Sequence, residues 1–484
     1  MPPNTRYPKQ IARQQQSEVQ NFALAPRETK MDNFFSRSSF SSNSEATTYN
    51  RVAWRLIPFL LILYIISFLD RVNVGFAKLQ MSADIGLSDA AFGLGAGIFF
   101  IGYAACEIPS NLLLQRFGAR FWIARILVVW GIISVCFMFV TTPAQFLTLR
   151  FLLGIAEAGF YPGIVLYLTY WFPSKLRSQV CALFFIGIPI AGFIGGPLSG
   201  FIMKSMAGVY GLSGWQWLFL LEGAPAIIAG VVTYFYLSNG PRDAKWLTAN
   251  ERNIIVPALE AEEAAHRAMG HGHRLVDALA SPKVWLLAIT NFTLLGGIYG
   301  ISFWMPQIVK DLGVQDVFMN GVVNSIPFAV ACAAMVIVGR SSDRTRERKW
   351  HIIVCATIGA LGLIGGATLT GTPALALASL SLALAGALAS ITVLWVLPSA
   401  LLTGAAAAGG IALMATIGNL GGYVAPYILG LAKEATGRLD FGLFVMSAAM
   451  ILGALLVHFL PRNVSIDEAE QATVLAEHRA VGAT

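Results

Sequence analysis

Twelve apolar segments, each close to the length that a helix needs to cross a lipid bilayer, dominate this chain. A transmembrane helix takes about 20 apolar residues to span about 30 Å of hydrocarbon. The segments lie at 53–71, 90–114, 121–140, 144–171, 178–203, 215–238, 284–305, 320–339, 350–370, 374–400, 404–431 and 441–460. Only 12% of the residues are charged, whereas soluble proteins average about 25%. The sequence therefore predicts an all-α membrane protein with twelve transmembrane helices.

A polar stretch divides the twelve segments into two groups of six. It covers 239–283 and is expected to be a cytoplasmic linker, amphipathic or loose, between six-helix halves at 51–238 and 284–462. Two such halves, related by an axis along the membrane normal, place a binding site between them near the midplane. Residues 1–50 are polar and lack the apolar core of a signal peptide. They are expected to form a disordered cytoplasmic tail, and 463–484 a second cytoplasmic tail.

The distribution of basic residues predicts the orientation in the membrane. If the N-terminus is cytoplasmic, fifteen arginines and lysines fall in the inner loops. Five fall in the outer loops, namely Lys78, Lys204, Lys310, Lys433 and Arg438. Inner loops carry such an excess, so we expect a multi-pass protein of the cell (inner) membrane with both termini in the cytoplasm. The net charge of +7 lies mainly in these loops and does not indicate nucleic-acid binding.

Two pairs of charged residues, each an acid and a base, lie inside apolar segments of the first half. Asp70 and Arg71 end the first segment, and Arg150 and Glu157 lie in the fourth. A charged side chain within a bilayer costs about 2.5–3.5 kcal/mol on insertion scales, which makes it a candidate functional residue. Two acids and two bases in membrane helices indicate a protein that binds an anion and handles a proton.

The spacing within the fourth segment predicts a shared helix face. Seven residues make nearly two turns, so Arg150 and Glu157 are expected to project on the same side. Gly154 lies between them and is expected to leave room beside the backbone. Tyr161, four residues beyond Glu157, is expected to extend the same stripe.

The arginines and the acids suit different roles. Arg71 and Arg150 are permanently charged and offer a planar fork that fits a carboxylate, so we expect them to bind the substrate anion. Asp70 and Glu157 can change protonation, because burial favours a neutral carboxyl and a nearby arginine favours a charged one. We expect these acids to couple transport to protons. In a structural alternative, the four charges neutralise one another and fix helix 1 to helix 4.

The second half carries neutral polar and aromatic groups in its apolar segments, with no deep acid or base. We expect it to recognise the uncharged part of the substrate. The candidate substrate-binding residues beyond the arginines are Tyr103, Tyr299, Thr392, Trp395 and Asn419. As structural alternatives, Trp395 faces lipid and Asn419 bonds another helix.

Two loops at corresponding places in the halves carry basic clusters. They are residues 111–120, after the second segment, and 339–348, after the eighth. Both resemble the signature Gly-x-x-x-Asp-Arg-x-Gly-Arg-Arg/Lys of the major facilitator superfamily of transporters. The second loop keeps Gly339 and the Asp-Arg pair that follows it, whereas the first has Asn111 for the glycine and Gln115 for the aspartate.

Four residues are candidate gating residues. The resemblance implies that the two loops latch the halves together on the cytoplasmic side, through Arg116, Asp343 and Arg344. A latch built on Gln115 lacks the carboxylate. Glu107 lies near the cytoplasmic end of the second segment, and we expect it to act in a gate, with proton transfer as the alternative.

Longer motifs resemble the anion:cation symporter branch of that superfamily. They are LDRVNVGFA at 69–77, EIPSN at 107–111, RFLLGIAEAGFYP at 150–162 and GWQWLFLLEG at 214–223. The resemblance runs from about residue 50 to 462 and is greatest for tartrate-, phthalate- and aromatic-acid-type permeases. It implies that proton entry drives organic-anion entry, with acids at the positions of Asp70 and Glu157.

The sequence thus predicts a proton-coupled symporter that imports a small organic anion by alternating access. The anion is a hydroxy-dicarboxylate such as tartrate or an aromatic carboxylate such as phthalate. An exchanger or exporter of the same fold and a transporter-like metabolite receptor are the alternatives. Zinc-protease, phosphate-loop and nucleophile-elbow motifs are absent from the sequence, so we expect no enzyme activity, cofactor or metal. We expect a monomer in the lipid bilayer whose ligands are the organic anion and protons.

Overall fold

A computed structural model describes most of the chain. The described residues are 34–35, 40, 42–268, 281–398 and 404–460. They fall into two compact units, Met1–Leu56 and Ile57–Thr484. The tail predicted at 463–484 and the first 33 residues of the tail predicted at 1–50 lie outside the described residues. The first helix begins at Asn43, so the end of the segment predicted as a disordered tail is helical.

The prediction of twelve membrane-spanning helices is confirmed. Within the described residues, twelve helical spans are long and apolar enough to cross a membrane, and each overlaps one predicted segment. The helices of the first half are α1 (Asn43–Val72), α2 (Val74–Asp84), α3 (Asp89–Phe117), α4 (Ala119–Cys136), α5 (Pro143–Glu157), α6 (Phe160–Thr169), α7 (Ser174–Ser205) and α8 (Gly214–Tyr236). Short 3₁₀ turns follow α4 (Phe137–Phe139) and α7 (Val209–Gly211).

A helix within the predicted linker separates these spans from the other six. It is α9 (Ala249–Ala268), and residues 269–280 of the linker lie outside the described part. The second half contains α10 (Pro282–Asp311), α11 (Val317–Thr345), α12 (Lys349–Thr368), α13 (Pro373–Leu394), α14 (Gly404–Thr436) and α15 (Asp440–His458).

The spans expose large apolar side chains, as expected where the solvent is lipid. Phe139, Phe235, Ile337 and Phe459 are between 68% and 74% exposed. A helix satisfies its own backbone hydrogen bonds, which is why it can present such a surface to hydrocarbon. Three of the charged residues predicted to be functional are turned inward instead: Asp70, Arg150 and Glu157 are at most 2% exposed.

The first span is a nearly continuous helix. Asn73, between α1 and α2, keeps helical dihedrals (φ −56°, ψ −28°), and its backbone N–H donates to the Leu69 carbonyl oxygen (3.0 Å). The span therefore runs to Asp84. Lys78, which the sequence placed in an outer loop, lies inside this helix and is 5% exposed.

The fourth span breaks immediately after Glu157. Ala158 is extended (ψ 132°), and Gly159 adopts a left-handed conformation (φ +81°) that favours glycine. The predicted stripe from Glu157 to Tyr161 is therefore wrong, because the break redirects the chain between them. Glu157 becomes the last residue of α5.

The sequence predicted free space beside the backbone at Gly154, and this prediction is wrong. A Cβ atom at this position would lie 2.0 Å from the Phe99 backbone oxygen of α3. Glycine is needed here because α5 and α3 are in backbone contact.

Gly154→Ala is therefore expected to destabilise the protein by about 1–3 kcal/mol, the usual cost of overpacking. Thermal unfolding of the purified protein in detergent checks this. Gly339→Ala is the matched control, because a Cβ on Gly339 of α11 meets no atom within 4 Å. Equal stability of the two variants would contradict the expectation.

Candidate functional site

The Arg71 guanidinium is the centre of a buried polar cluster that joins the two halves. Its NH2 forms an ion pair with Oε1 of Glu157, and its NH1 donates to the Tyr299 hydroxyl of α10 (2.9 Å). Ser67, one turn before Arg71, donates to the same Glu157 oxygen (2.6 Å). The Arg71 and Glu157 side chains are 8% and 1% exposed. Three sequence-predicted residues, Arg71, Glu157 and Tyr299, thus meet, and Ser67 joins them.

Aromatic rings cover the guanidinium. The Arg71 Cζ atom lies 5.1 Å from the Phe99 ring centroid and 5.5 Å from that of Tyr103. A desolvated cation over an aromatic face gains about 2 kcal/mol or more. Tyr103, predicted as a substrate-binding residue, therefore presents its ring to Arg71.

One donor of Arg71 is left over. Its Nε is buried and has no hydrogen-bond partner within the described part of the chain. A buried donor without a partner costs about 1–3 kcal/mol. An additional acceptor on this side of the guanidinium would therefore bind favourably.

Arg150 makes a different set of contacts from those predicted. Its Nε donates to the Gly95 carbonyl oxygen (3.0 Å) and its NH2 to that of Ala96 (3.2 Å), both on α3. Its Cζ lies 5.2 Å from the centroid of Phe99, the ring that also contacts Arg71. Arg150 thus fastens α5 to α3, and it forms no ion pair with Glu157 among the described contacts. A direct role in substrate binding stays a prediction.

Asp70 points away from its neighbour Arg71, towards α4. Its Oδ2 accepts from Trp130 Nε1 (2.7 Å), and its Oδ1 accepts from the Ser134 hydroxyl. Trp130 and Ser134 are four residues apart, so they share one helix face. Asn73 also approaches, with Nδ2 3.4 Å from Asp70 Oδ1. The structural alternative proposed that the four charged residues neutralise one another. Among the described ion pairs, only that of Arg71 with Glu157 joins two of the four.

The remaining candidates of the second half lie apart from the Arg71 cluster. The Thr392 hydroxyl donates to the Leu388 carbonyl oxygen of its own helix (2.8 Å). Trp395 is half-buried, with its ring centroid 6.1 Å from that of Phe185 on α7, so it faces the first half. Asn419 is half-buried, and its Nδ2 lies 3.4 Å from Oε2 of Glu107. Tyr299 is thus the second-half candidate that contacts Arg71 directly in the described structure.

The predicted latch between the two loops is not formed by the contacts described here. The exposed Arg116 lies against the ring of Phe117, next in sequence, with Cζ 5.7 Å from its centroid. Asp343 pairs with Arg348 (2.7 Å) within the second half, and Arg344 is exposed. We call this end of the bundle, with its 117–119 and 345–349 turns, the Arg116 end. The one described polar contact between the halves near it is Glu107 with Asn419.

The opposite end, with the 85–88 and 312–316 turns, is tied across the halves. We call it the Lys78 end. Lys78 Nζ pairs with Asp89 Oδ1 (2.6 Å) and donates to Gln307 Oε1 of α10 (3.1 Å). Glu434 of α14 accepts from the Ser88 hydroxyl and from the Ala90 backbone N–H, both at 2.7 Å. A second-half acid therefore caps the N-terminus of α3.

Four residues of this region were missed in the sequence, namely Ser67, Asn73, Trp130 and Ser134. Each had a signal. Ser67 lies one turn before Arg71, and Trp130 and Ser134 are polar or amphipathic residues one turn apart in an apolar segment. What the sequence could not supply is the direction in which Asp70 points.

Comparisons with known proteins agree with this arrangement. The family model described as Major Facilitator Superfamily matches residues 60–426. A protein of Agrobacterium vitis named as a tartrate transporter is 43% identical over 87% of this chain and 93% of its own length. The quinolone resistance transporter of Acinetobacter baumannii is 40% identical over 86% of this chain and 95% of its own length.

The solved structures agree on the fold. The inward open conformation of the xylose transporter XylE from E. coli superposes with a TM-score of 0.69 at 17% identity. The match covers 85% of this chain and 97% of that chain. With twelve spans, a buried charged cluster between two halves and a family match over most of its length, this multi-pass membrane protein belongs to the major facilitator superfamily.

Proposed function

We propose that the protein is a proton-coupled symporter that imports a small organic anion by alternating access. The substrate is a hydroxy-dicarboxylate such as tartrate or an aromatic carboxylate such as phthalate. The observation that carries this proposal is the buried Arg71, which an acid of the first half and a tyrosine of the second half share. The 43% identical relative named as a tartrate transporter supports the substrate class.

Exchange of partners at Arg71 gives the coupling. A substrate carboxylate that binds the guanidinium, starting at the unpartnered Nε, competes with Glu157 for the same cation. A carboxylate that loses its partner in a buried site is strongly destabilised, so Glu157 takes up a proton when the anion arrives. Ser67 can then accept a hydrogen bond from the protonated acid. Anion and proton thus bind together.

Tyr299 links substrate binding to the movement of the two halves. Its hydroxyl contacts Arg71 from α10, and its ring packs on Phe100 of α3, with centroids 4.4 Å apart. A ligand that changes the Arg71 contacts therefore changes a contact between the halves. Since one chain supplies both sides of the cluster, we propose that a monomer is the transporting unit.

The contacts at the two ends of the bundle indicate which state of the transport cycle the structure represents. The Lys78 end is tied across the halves by the hydrogen bond from Lys78 to Gln307 and by the Glu434 cap of α3. Arg116, Asp343 and Arg344, by contrast, form no described contact across the halves. By the positive-inside rule the Arg116 end is cytoplasmic. We propose that these three residues and Glu107 close that end in the opposite state.

Cross-linking at the Lys78 end is expected to stop transport. Ser88→Cys with Glu434→Cys places two thiols where a hydroxyl and a carboxylate now bond at 2.7 Å. A short bis-methanethiosulfonate reagent, which forms a disulfide with each thiol and releases sulfinate, should reduce uptake to the level of empty liposomes, because the outward-open state needs these helices to separate. Reducing agent should restore it. Each single variant and the parent protein, treated alike, are the controls, and full activity of the cross-linked protein would contradict alternating access at this end.

An exchanger or exporter is the second candidate, favoured by the 40% identity to a protein named as a quinolone resistance transporter. Proteoliposomes separate the candidates. A thermal-shift screen of carboxylates first selects the anion that stabilises the purified protein. A symporter accumulates this labelled anion when the outside is made acidic and loses the accumulation when an ionophore collapses the gradient. Counterflow with no response to the gradient would instead establish exchange.

A further inference from the structure

A further buried carboxyl group, Glu222 of α8, lies outside the Arg71 cluster. It is 5% exposed. Its Oε1 accepts from the Ser199 hydroxyl of α7 (2.8 Å), while its Oε2 is buried without a hydrogen-bond partner in the described residues. An ionised carboxylate with one unpartnered oxygen inside a membrane span costs much more free energy than the neutral acid. The contacts of Glu222 are those of a carboxyl group that carries a proton.

The Asn73 amide stands between Glu222 and Asp70. Its Nδ2 lies 3.4 Å from Asp70 Oδ1, and the same side chain is a near neighbour of the Glu222 carboxyl, with no hydrogen bond between the two among the described contacts. Its Oδ1 is buried and has no described partner. An amide has two N–H donors and one acceptor oxygen, so it can serve a carboxylate and a carboxylic acid together. Glu222 Oε2 and Asn73 Oδ1 are thus two buried acceptor oxygens without described partners, and a proton on Glu222 adds a hydrogen-bond donor between these two side chains.

Helix packing brings the two acids close through α4 as well. Ser134, which donates to Asp70, also faces Gly223, next in sequence to Glu222. A Cβ on Gly223 would lie 3.0 Å from the Ser134 hydroxyl oxygen. The glycine therefore allows α8 to approach the face of α4 that holds Asp70.

The other charged groups of the helices around α8 are engaged elsewhere. On α2, Lys78 pairs with Asp89, and Asp84 accepts from the side chains of Ser213 and Trp215. On α7, Lys204 is exposed and pairs with Asp316 (2.5 Å). On α4 the titratable residues are Arg120 and Arg125, towards the Arg116 end, and Cys136, at the end of the helix. No cation contacts Glu222 in the described structure. Asp70 is the acid that shares a neighbour, Asn73, with Glu222.

A small cavity reaches this group from between the halves. Its volume is about 10 Å³, room for one water molecule. Ser199, Ser302 and Asn324 line it, so a water there has polar partners from both halves. Ser199 is also the donor to Glu222, which connects the carboxyl to the cavity.

We propose that Glu222 is a second proton-carrying residue that exchanges its proton with Asp70 across Asn73. The transfer breaks the O–H bond of Glu222, forms one on Asp70 and moves one negative charge from Asp70 to Glu222. The amide reorients so that its N–H groups face whichever carboxyl is ionised. This inference rests on the proposed proton coupling and adds a proton site on the Lys78 side of Asp70.

Infrared difference spectra of the purified protein in lipid, recorded between acid and neutral pH, test the inference without a substrate. The wild type should show a protonated-carboxyl band that shifts in D₂O and is lost in Glu222→Gln. Asp84→Asn, which removes an exposed acid at the same end, should leave that band in place. Asn73→Leu should keep the band but move its frequency, since the amide contact is gone. A spectrum of Glu222→Gln identical to the wild type would overturn the inference.

Proton flux in proteoliposomes then tests the exchange itself. Glu222→Gln and Asn73→Leu should both lose proton flux but keep anion counterflow, which a merely misfolded variant would not. Wild-type proton flux in both variants would overturn the exchange. Absence of proton flux in the wild type would overturn the symport proposal instead, and the infrared band would still report on Glu222.

Discussion

Uptake by Arg71→Gln is expected to fall by about 30-fold to several thousand-fold relative to the wild type. Removal of one partner of a buried, hydrogen-bonded charge pair costs about 2–5 kcal/mol. Here the loss applies twice, because Arg71 is the proposed ligand of the substrate anion and the partner of Glu157. Initial rates of labelled-anion uptake into proteoliposomes, normalised to reconstituted protein, measure the effect.

Two further variants separate binding from folding. Arg71→Gln combined with Glu157→Gln removes the unpaired acid, so thermal stability should recover while uptake stays lost. Arg438→Gln is the matched control, because that side chain is 64% exposed and pairs with Asp440 at the surface. It should transport like the wild type, since exposed ion pairs contribute little. Substantial uptake by Arg71→Gln would contradict the assignment of the anion to this residue.

Glu157→Gln is expected to uncouple transport from protons while leaving anion exchange intact. A glutamine keeps the shape and can still accept hydrogen bonds from Arg71 and Ser67, but it cannot take up a proton. With a pH gradient and no membrane potential, the accumulation ratio of the anion should fall to about one, because coupling free energy is lost with the titrating group. Counterflow of preloaded anion should continue.

The pH dependence of the same variant gives an independent check. Wild-type uptake should rise as the outside is acidified, because the proton that Glu157 binds enters with the anion. In Glu157→Gln this response should be absent or strongly reduced, and any residual response would report on Asp70. Glu262→Gln, a change in the α9 helix away from the site, should keep the wild-type profile. A wild-type pH response in Glu157→Gln would exclude this acid from coupling.

The spans could be predicted from the sequence because their physics is local. Each needs only enough consecutive apolar residues to cover the hydrocarbon, and all twelve appear in the structure. The presence of Arg71 and Glu157 in one cluster was also accessible, because isolated charges in membrane helices must find partners. Helix ends were less accurate, as α1 shows by beginning at Asn43 in polar sequence.

The details of the site depended on features that periodicity does not report. Two turns of spacing put Arg150 and Glu157 on one face, yet Arg150 bonds to backbone carbonyls of α3. Every residue has a backbone carbonyl group, so the sequence does not indicate which carbonyl groups accept hydrogen bonds from Arg150. The break after Glu157 depends on Gly159, whose left-handed conformation is one of several that glycine can adopt.

The adjacent pair Asp70 and Arg71 shows the same limit most clearly. Neighbours in a helix are about 100° apart, so they face different helices. Arg71 turns to Glu157 and Tyr299, and Asp70 turns to Trp130 and Ser134. The sequence identifies both residues as costly and functional, but only the packing of α1 between its neighbours assigns each one its partners.

Proton movement during anion entry tests the central claim most directly. Wild-type proteoliposomes that contain a trapped pH-sensitive dye receive the stabilising carboxylate on the outside, with no gradient imposed. If Arg71 exchanges Glu157 for the substrate, the lumen should acidify at a rate that follows anion uptake, and Glu157→Gln should abolish the acidification. Anion entry at the wild-type rate with no change in lumenal pH would contradict proton-coupled symport through this cluster.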